Sequence, residues 1–502
     1  MAKAIPQEST GELFPIVKYI VPLLAVIILI TLLFTENTQH ISDRMFWLDE
    51  VQTFNTVDLP FGSIAKDAAV NSSQMQPPLF YWLGHFVSLL GKDPLTLRSL
   101  SVGIYVLMIG FALFFMRELS FPSRAFLGFV LIMSPFGAYA TTEFRPYALA
   151  ALSILISSVL LYRSIKSPGN WRAAILYSLA ALSLQYSLTL NCFVFGVQAS
   201  FSTLVLFNAL FKERFQQFKK KYMPLLVVTI FLCAGYISFL FVIRQAGGAY
   251  EASAFEWAAF IKALNFSSTV LFKDIMLLPS WMGRVGLLCF VPGVIIGAVK
   301  HRWVTIYLLT ILAGQLLFST FMTFARIHWF EQRYLVACYV AFSVICAMGA
   351  GYLFRMIPQK KYRLALLFIL LCAALPASVN SYMKSLKAPL YNPSYETVRA
   401  LQCKGNKTVV LAYPHYISII PRYIFRKDPS IIVPKNSSKL KQFILEAATK
   451  KYCFIMQGEA KKNQKPSREL ETLLSLSGYA SKRYYTKPGR HVPSEVWVFR
   501  PK

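Results

Sequence analysis

Two adjacent carboxylates, Asp49 and Glu50, stand in the run Phe46-Trp47-Leu48-Asp49-Glu50-Val51-Gln52, with Phe54 just beyond. Phe46, Trp47, Val51 and Phe54 would hold them at a lipid–water boundary, where charge is costly and usually functional. A carboxylate drawn partly out of water becomes a better proton acceptor, the property a general base needs. Only one of two neighbouring side chains need serve; the other reading is a solvated loop or the first residues of a helix. A second group, Thr142-Glu143-Phe144-Arg145-Pro146-Tyr147, sets Glu143 beside Arg145. Arg145 suits a phosphate and Glu143 a hydroxyl or a supporting role to a base, although the two can equally be an ion pair with snorkelled ends. The third group is Arg326-Ile-His328-Trp-Phe-Glu331-Gln-Arg333-Tyr334. Arg326, His328 and Arg333 together fit a phosphate leaving group or an interfacial anchor. Arg244 and Lys262 are weaker candidates, and His85 reads as a packing residue.

The elements that must position these groups are mostly membrane helices. The chain has 502 residues, 56% hydrophobic and only 15% charged, and its apolar runs approach the ~20 residues that cross a bilayer. A polytopic membrane protein follows. The N-terminus carries only Lys3 and Lys18 as bases and no small-residue cleavage site, which fits a retained first helix better than a removed signal. The first span is 16–35. Segment 36–76 holds Glu36, Asp43, Asp49, Glu50, Asp58 and Asp67 against Arg44 and Lys66, the balance of a non-cytoplasmic loop. Gln76-Pro77-Pro78-Leu79-Phe80-Tyr81-Trp82 then opens an apolar stretch that ends at Gly91. It is too short to span, and it reads as an interfacial helix begun by proline.

Further spans are expected at 98–116, 125–142, 146–162, 173–189, 191–211, 223–243, 284–299, 303–322, 334–354 and 364–380. This gives about 11 membrane helices with the N-terminus inside and the C-terminus outside. The basic clusters Arg117/Arg124, Arg163/Lys166/Arg172, Lys212/Arg214/Lys219/Lys220/Lys221, Lys300/Arg302 and Arg355/Lys360/Lys361/Arg363 then all face one side, with Glu118 and Glu213 the acids among them. These clusters and the C-terminal tail together account for the net charge of +29. That placement argues against nucleic-acid binding, since no basic helix interleaved with exposed aromatics is present. Loop 36–97, the connection 143–145, loop 244–283 and loop 323–333 share the outer face, and all the unusual polar residues lie in them.

After about residue 380 the pattern becomes that of a small soluble α/β domain, 381–502. Strands are expected at 408–413, 431–433, 452–456 and 495–499, with helices at 415–426, 438–450 and 467–476. No glycine-rich phosphate loop occurs there. Six of the eight cysteines fall in apolar segments and read as small buried hydrophobes. Cys403 and Cys453 alone are in the polar tail, where an extracytoplasmic location would permit a disulfide. No CxxC pair or Cys/His cluster suggests zinc.

An outer-face site without a nucleotide motif points to a donor already carried across on a lipid. A polyprenyl-phosphate sugar fits, its tail among the spans and its phosphate on arginine. Asp49 would take the acceptor's proton, and displacement opposite the phosphate predicts inversion. The order Trp47-x-Asp49-Glu50, Pro77-Pro78-Leu79-x-Tyr81, Arg98, Arg117-Glu118-Leu119 and Glu143-x-Arg145-Pro146-Tyr147, then Arg333-Tyr334 before a span, resembles the family-39-type bacterial glycosyltransferases. These are GT-C fold enzymes related to protein O-mannosyltransferases and to lipid A aminoarabinose and galacturonic acid transferases. The resemblance covers about residues 10–380. It implies a transmembrane catalytic domain over 1–380, with 36–97 as its first extracytoplasmic loop. It also implies a general base at Asp49 and a supporting second acid near Glu143; the residues themselves suggest Glu50 as the alternative acid and phosphate contacts at Arg145, Arg326, His328 and Arg333. Substrate contacts are expected at Trp47, Gln76, Tyr81, Tyr147 and Tyr334. Many relatives carry Lys or His where this chain has Gln76. Neither a metal nor another cofactor is expected, although Asp49, Glu50 and Glu143 could bind a divalent ion. The acceptor is a lipid, glycan or protein outside the cytoplasm, and the expected location is a bacterial inner membrane. A transporter for a lipid-linked sugar and a non-catalytic scaffold are the competing readings; inverted repeats and mid-membrane charges, the marks of a transporter, are not evident.

Overall fold

The computed structural model describes residues 48–71, 76–213, 215–246, 257–276, 281–322, 332–358, 407–413, 431–432, 440–459, 474–477, 479–485 and 494–501. The spans expected at 16–35 and 364–380 lie outside these residues. The chain divides into two compact units. One comprises Met1–Gln39, Pro60–Gly91 and Leu95–Ser385, the other His40–Leu59, Lys92–Pro94 and Leu386–Lys502. The segment bearing Asp49 and Glu50 therefore groups with the C-terminal residues, whereas the sequence division at 380 had left it with the membrane helices.

The membrane unit begins with α2 (Phe61–Lys66), extended by a π-turn to Asn71, and α3 (Leu79–Ser88). The Pro78 cap starts α3, and its ten residues are too few to cross a bilayer, as expected of an interfacial helix. Then follow α4 (Pro94–Gly110) with a π-turn to Phe115, α5 (Phe121–Met133), α6 (Pro135–Thr142), α7 (Tyr147–Lys166), α8 (Trp171–Ser187), α9 (Cys192–Lys212) and α10 (Phe215–Ala246). After these come α11 (Trp257–Val270) with a π-turn at Leu271–Ile275, α12 (Trp281–Lys300), α13 (Arg302–Met322), a 3₁₀ turn at Gln332–Leu335 and α14 (Val336–Met356). Seven helices among the described residues are long and apolar enough to cross a membrane, and α5 is a shorter apolar helix. This is an integral, mainly α-helical membrane protein.

Two expectations need correction. The span predicted at 125–142 is broken at Ser134-Pro135 into α5 and α6. Proline cannot donate to the preceding turn, and Ser134 restarts the helix by accepting the Gly137 amide at 2.9 Å. The break frees the Leu131 carbonyl, which in a membrane must find a partner within the protein. The hydroxyls of Tyr105 and Tyr339 both donate to it, and Ser134 Oγ donates to Tyr339 at 2.7 Å. Tyr339→Phe should lower the thermal unfolding midpoint of the purified protein by the equivalent of about 1 kcal/mol; an unchanged midpoint would show that the hydroxyl contributes nothing. The second correction concerns 244–283, expected to be a loop, which contains α11 and its π-turn.

At the centre of this unit stands α14. Its spanning window is 94% buried, against 22% for that of α12. The two helices pack together, and α5, α7 and α13 also pack on α14. Contact with α12 is close because small residues meet there. A Cβ on Gly349 would overlap the Cys289 carbonyl oxygen, and one on Gly293 would overlap that of Ile345. Small residues at such seams let helix backbones approach where lipid supplies no hydrophobic drive.

The second unit contains α1 (Leu48–Val57), whose Val51, Phe54 and Val57 recur at helical spacing and are buried. An exposed ion pair from Lys92 to Asp58 ties segment 92–94 to the end of α1. The C-terminal part is a five-stranded sheet of β1 (Thr408–Tyr413), β2 (Ile431–Ile432), β3 (Cys453–Glu459), β4 (Tyr479–Tyr485) and β5 (Ser494–Pro501), with α15 (Leu440–Thr449) before β3. The order is β2-β1-β3-β5-β4. The first three strands are parallel, and β5 runs antiparallel to both β3 and β4. Lys451, at φ 56°, closes α15, with Tyr452 N–H on the Ala447 carbonyl and Lys451 N–H on that of Ala448. This is the left-handed helix ending usually given to glycine. Cys453 is fully buried and disulfide-bonded; Cys403 lies outside the described residues.

Candidate active site

Within the membrane unit, the turn between α6 and α7 carries Glu143 and Arg145, which are 1% and 3% exposed. Helix α6 ends because Glu143 is extended (φ −115°, ψ 138°). Pro146 then caps the start of α7, and proline disfavours helix at the residue before it. The turn is tied down at its backbone. Arg145 N–H donates to the Glu143 carbonyl at 2.9 Å, and Ser101 Oγ on α4 donates to the same carbonyl at 2.7 Å. Phe144, fully buried, packs on Phe80 of α3 with ring centroids 5.3 Å apart.

Tyr147 orients the Arg145 guanidinium. It lies 5.7 Å from the Tyr147 ring centroid, an attractive cation–π distance, and its Nη2 donates to the Tyr147 hydroxyl at 3.4 Å. Tyr139 packs on Tyr147 at 5.5 Å. Arg98 is completely buried in the first half of α4. It lies three residues before Ser101, so both occupy the face of α4 turned to the Glu143 carbonyl.

Arg333 reaches the same end by a different route. The 3₁₀ turn that holds it is fixed to α13, where Gln315 Nε2 and Ser319 Oγ donate to the Tyr334 carbonyl at 3.2 and 3.0 Å. Its guanidinium sits 5.7 Å from the Tyr334 ring centroid. The π-turn at Leu271–Ile275 packs on both this turn and α6. Three of the predicted outer pieces therefore converge in this unit. Arg98, Glu143, Arg145 and Arg333 are all the buried charged side chains described in the membrane unit, and they lie at one end of it. Three buried arginines and one carboxylate at one end of a helix bundle suit an oxyanion.

In the second unit, the buried charged side chains described are Asp49 and Glu50, 9% and 0% exposed. Both occupy the first turn of α1, where the helix dipole favours negative charge. Thr53 Oγ1 donates to the Asp49 carbonyl at 2.9 Å.

Of the remaining expected contacts, Gln76 is engaged structurally, its Oε1 accepting from the Thr189 amide and hydroxyl at 3.3 and 3.4 Å. Tyr81 is buried. His85 packs tilted against Phe61 and edge-on against Phe86, the packing role expected. Lys262 is exposed on α11. Trp47, Arg326 and His328 lie outside the described residues, as does the Arg244 side chain. Among the described residues, no three His, Cys, Asp or Glu side chains gather as metal ligands would. The residue undervalued from sequence is Arg98, which entered only as part of the family pattern. Its signal was an arginine in the opening turns of an apolar span, expensive unless it is used.

The fold is of the GT-C type, with long apolar helices, buried charges at one end of the bundle and a C-terminal α/β part. The solved structures similar to this chain include ArnT from Cupriavidus metallidurans bound to undecaprenyl phosphate, at TM-score 0.53 and 10% identity over 95% of this chain and 97% of that one. Apo ArnT from the same organism matches equally, at TM-score 0.53 and 10% identity over 95% and 98%. The Archaeoglobus fulgidus oligosaccharyltransferase is less similar, at TM-score 0.49 and 13% identity over 94% and 72%. No protein-family model matches the chain, and no curated protein sequence does.

Proposed function

We propose that this protein is an integral-membrane glycosyltransferase that moves one sugar from a polyprenyl-phosphate donor to an acceptor outside the cytoplasm. The observation that carries this reading is the gathering of Arg98, Glu143, Arg145 and Arg333 at one end of the membrane unit. Supporting it are the GT-C fold and the undecaprenyl phosphate bound to ArnT. In the reaction, a carboxylate of the Asp49–Glu50 pair, Asp49 by preference, takes the proton of the acceptor hydroxyl. The acceptor oxygen bonds to the anomeric carbon as the bond from that carbon to the phosphate oxygen breaks, inverting the centre and releasing polyprenyl phosphate. The arginines neutralise the charge that grows on the departing phosphate, with Arg326 and His328 as further phosphate contacts. Glu143 supports the base or binds a sugar hydroxyl, and Trp47, Tyr81, Tyr147 and Tyr334 supply ring surfaces for substrate. No metal or other cofactor takes part, so transfer should persist in EDTA. The basic loops lie in the cytoplasm and the C-terminal domain outside it, in a bacterial inner membrane. There Cys403 pairs with Cys453, and the acceptor is lipid A, another glycan or a protein.

The test is mass spectrometry of envelope lipids, glycans and glycoproteins from cells with and without the protein. One glycan or lipid lacking a sugar, with its lipid-phosphate donor accumulating, is the expected result. An unchanged envelope would reject the reading, and a donor trapped in the inner leaflet would favour a transporter. Arg145→Gln should lower kcat/KM for the donor by roughly 10–100-fold, the value of one charged phosphate contact. A wild-type kcat/KM would remove Arg145 from the donor site.

A further inference from the structure

The membrane unit also contains a cavity of about 450 Å³ between the ends of α7, α9, α13 and α14. Its walls are aliphatic, among them Leu155, Val304, Leu308, Val340 and Val344. Tyr307 and Ser158 on its wall are hydrogen-bonded, and Gln198 behind them joins the same network. Tyr307 Oη and Ser158 Oγ are 2.8 Å apart, and Gln198 Nε2 donates to Tyr307 Oη and Ser157 Oγ at 3.0 and 2.9 Å.

The rim is basic. Lys166, His301 and Arg355 line it on the last turn of α7, the start of α13 and the last turn of α14. The one acid there, Glu118, is neutralised by Arg163, whose Nε and Nη2 reach its two oxygens at 2.6 and 3.2 Å. Helix α7 runs from Tyr147, beside the Arg145 turn, to Lys166. Twenty helical residues at 1.5 Å each put this rim about 30 Å from that turn, the thickness of a hydrocarbon core. The cavity is therefore not part of the arginine cluster.

We infer that this cavity is a binding site for an anionic phospholipid, an acyl chain filling the apolar space and the headgroup phosphate resting on the Lys166–His301–Arg355 rim. Charge and polarity both select this occupant: the walls exclude a soluble anion, and the rim favours an anionic over a zwitterionic headgroup. In the orientation proposed above, the rim faces the cytoplasmic leaflet, where anionic lipids concentrate and basic pockets between helices bind them.

The test uses the full-length protein in nanodiscs of phosphatidylcholine and phosphatidylglycerol in equal amounts, with retained lipid read by native mass spectrometry after release. Wild-type protein should keep phosphatidylglycerol in preference to phosphatidylcholine. Lys166→Glu, on an exposed rim position, should cut that preference by roughly fivefold or more, the worth of one surface cation. Val344→Trp, which obstructs the cavity, should reduce retention of both lipids while the protein stays monodisperse. Equal retention of the two lipids, an unaltered preference in Lys166→Glu, or a retained lipid that proves to be polyprenyl phosphate would overturn the inference. Sugar transfer is not read, so failure of the glycosyltransferase reading would leave this result standing.

Discussion

Asp49→Asn should reduce sugar transfer by about 10²–10⁴-fold, the usual contribution of a positioned general base, with membrane abundance unchanged. The amide keeps the size and most of the hydrogen bonding of the carboxylate but cannot take up a proton at neutral pH. Loss of fold is not the expected cause. Asp49 and Glu50 are successive helical residues and point about 100° apart, so one of them serves as base and the other acts through its surroundings. Glu50→Gln is the matched comparison, since Glu50 is fully enclosed and Asp49 retains 9% exposure. Initial rates in membranes of equal protein content distinguish the two. A normal rate for Asp49→Asn with a lost rate for Glu50→Gln would move the base to Glu50, and normal rates in both would end the acid–base proposal.

Gly349→Ala should have the largest effect on stability. The added Cβ would overlap the Cys289 carbonyl oxygen and stand 2.7 Å from the Gly293 backbone nitrogen. Neither atom belongs to a side chain that can rotate away, so α12 and α14 would have to separate along their seam. Overpacking of this kind costs ~1–3 kcal/mol or more, against a gain of up to ~1 kcal/mol in helix propensity for alanine. Total stabilities are ~5–15 kcal/mol, so a marked fall in unfolding midpoint and in yield is expected. Gly103→Ala provides the control, because a Cβ there meets nothing within 4 Å; its midpoint should hold or rise. Equal behaviour of the two variants in a thermal unfolding series would refute the close-contact seam.

The membrane helices were legible because hydropathy and the placement of Lys and Arg both report on the bilayer, a strong one-dimensional field. Where the sequence misled, the deciding contact was distant. Nothing local marks Ser134-Pro135 as a mid-membrane break, since its tolerance depends on Tyr105 and Tyr339, one of them more than 200 residues away in sequence. Helix α11 was hidden by length, being shorter than a span. Strand β4, Tyr479–Tyr485, was missed because Lys482 and Arg483 interrupt any apolar pattern; among the described strands it pairs only with β5, and charge is what an edge strand uses to avoid further pairing. In the candidate site, Glu143, Arg145 and Arg333 could be picked out by their position beside apolar runs. That Gln76 is occupied by Thr189, and that α1 groups with the C-terminal residues, depends on tertiary contacts that no spacing encodes.

The enclosure of α14 has a consequence for how the protein is made. Translation runs from the N-terminus, so α4 to α13 are synthesised before the helix they surround. Until residue 356 has left the ribosome, the faces of α5, α7, α12 and α13 that belong against α14 must be covered by lipid or by the insertion machinery. The bundle cannot close around its axis early. Its last long described helix is also its keystone, and a chain cut short before it is left with a lipid-filled slot where the centre of the fold should be.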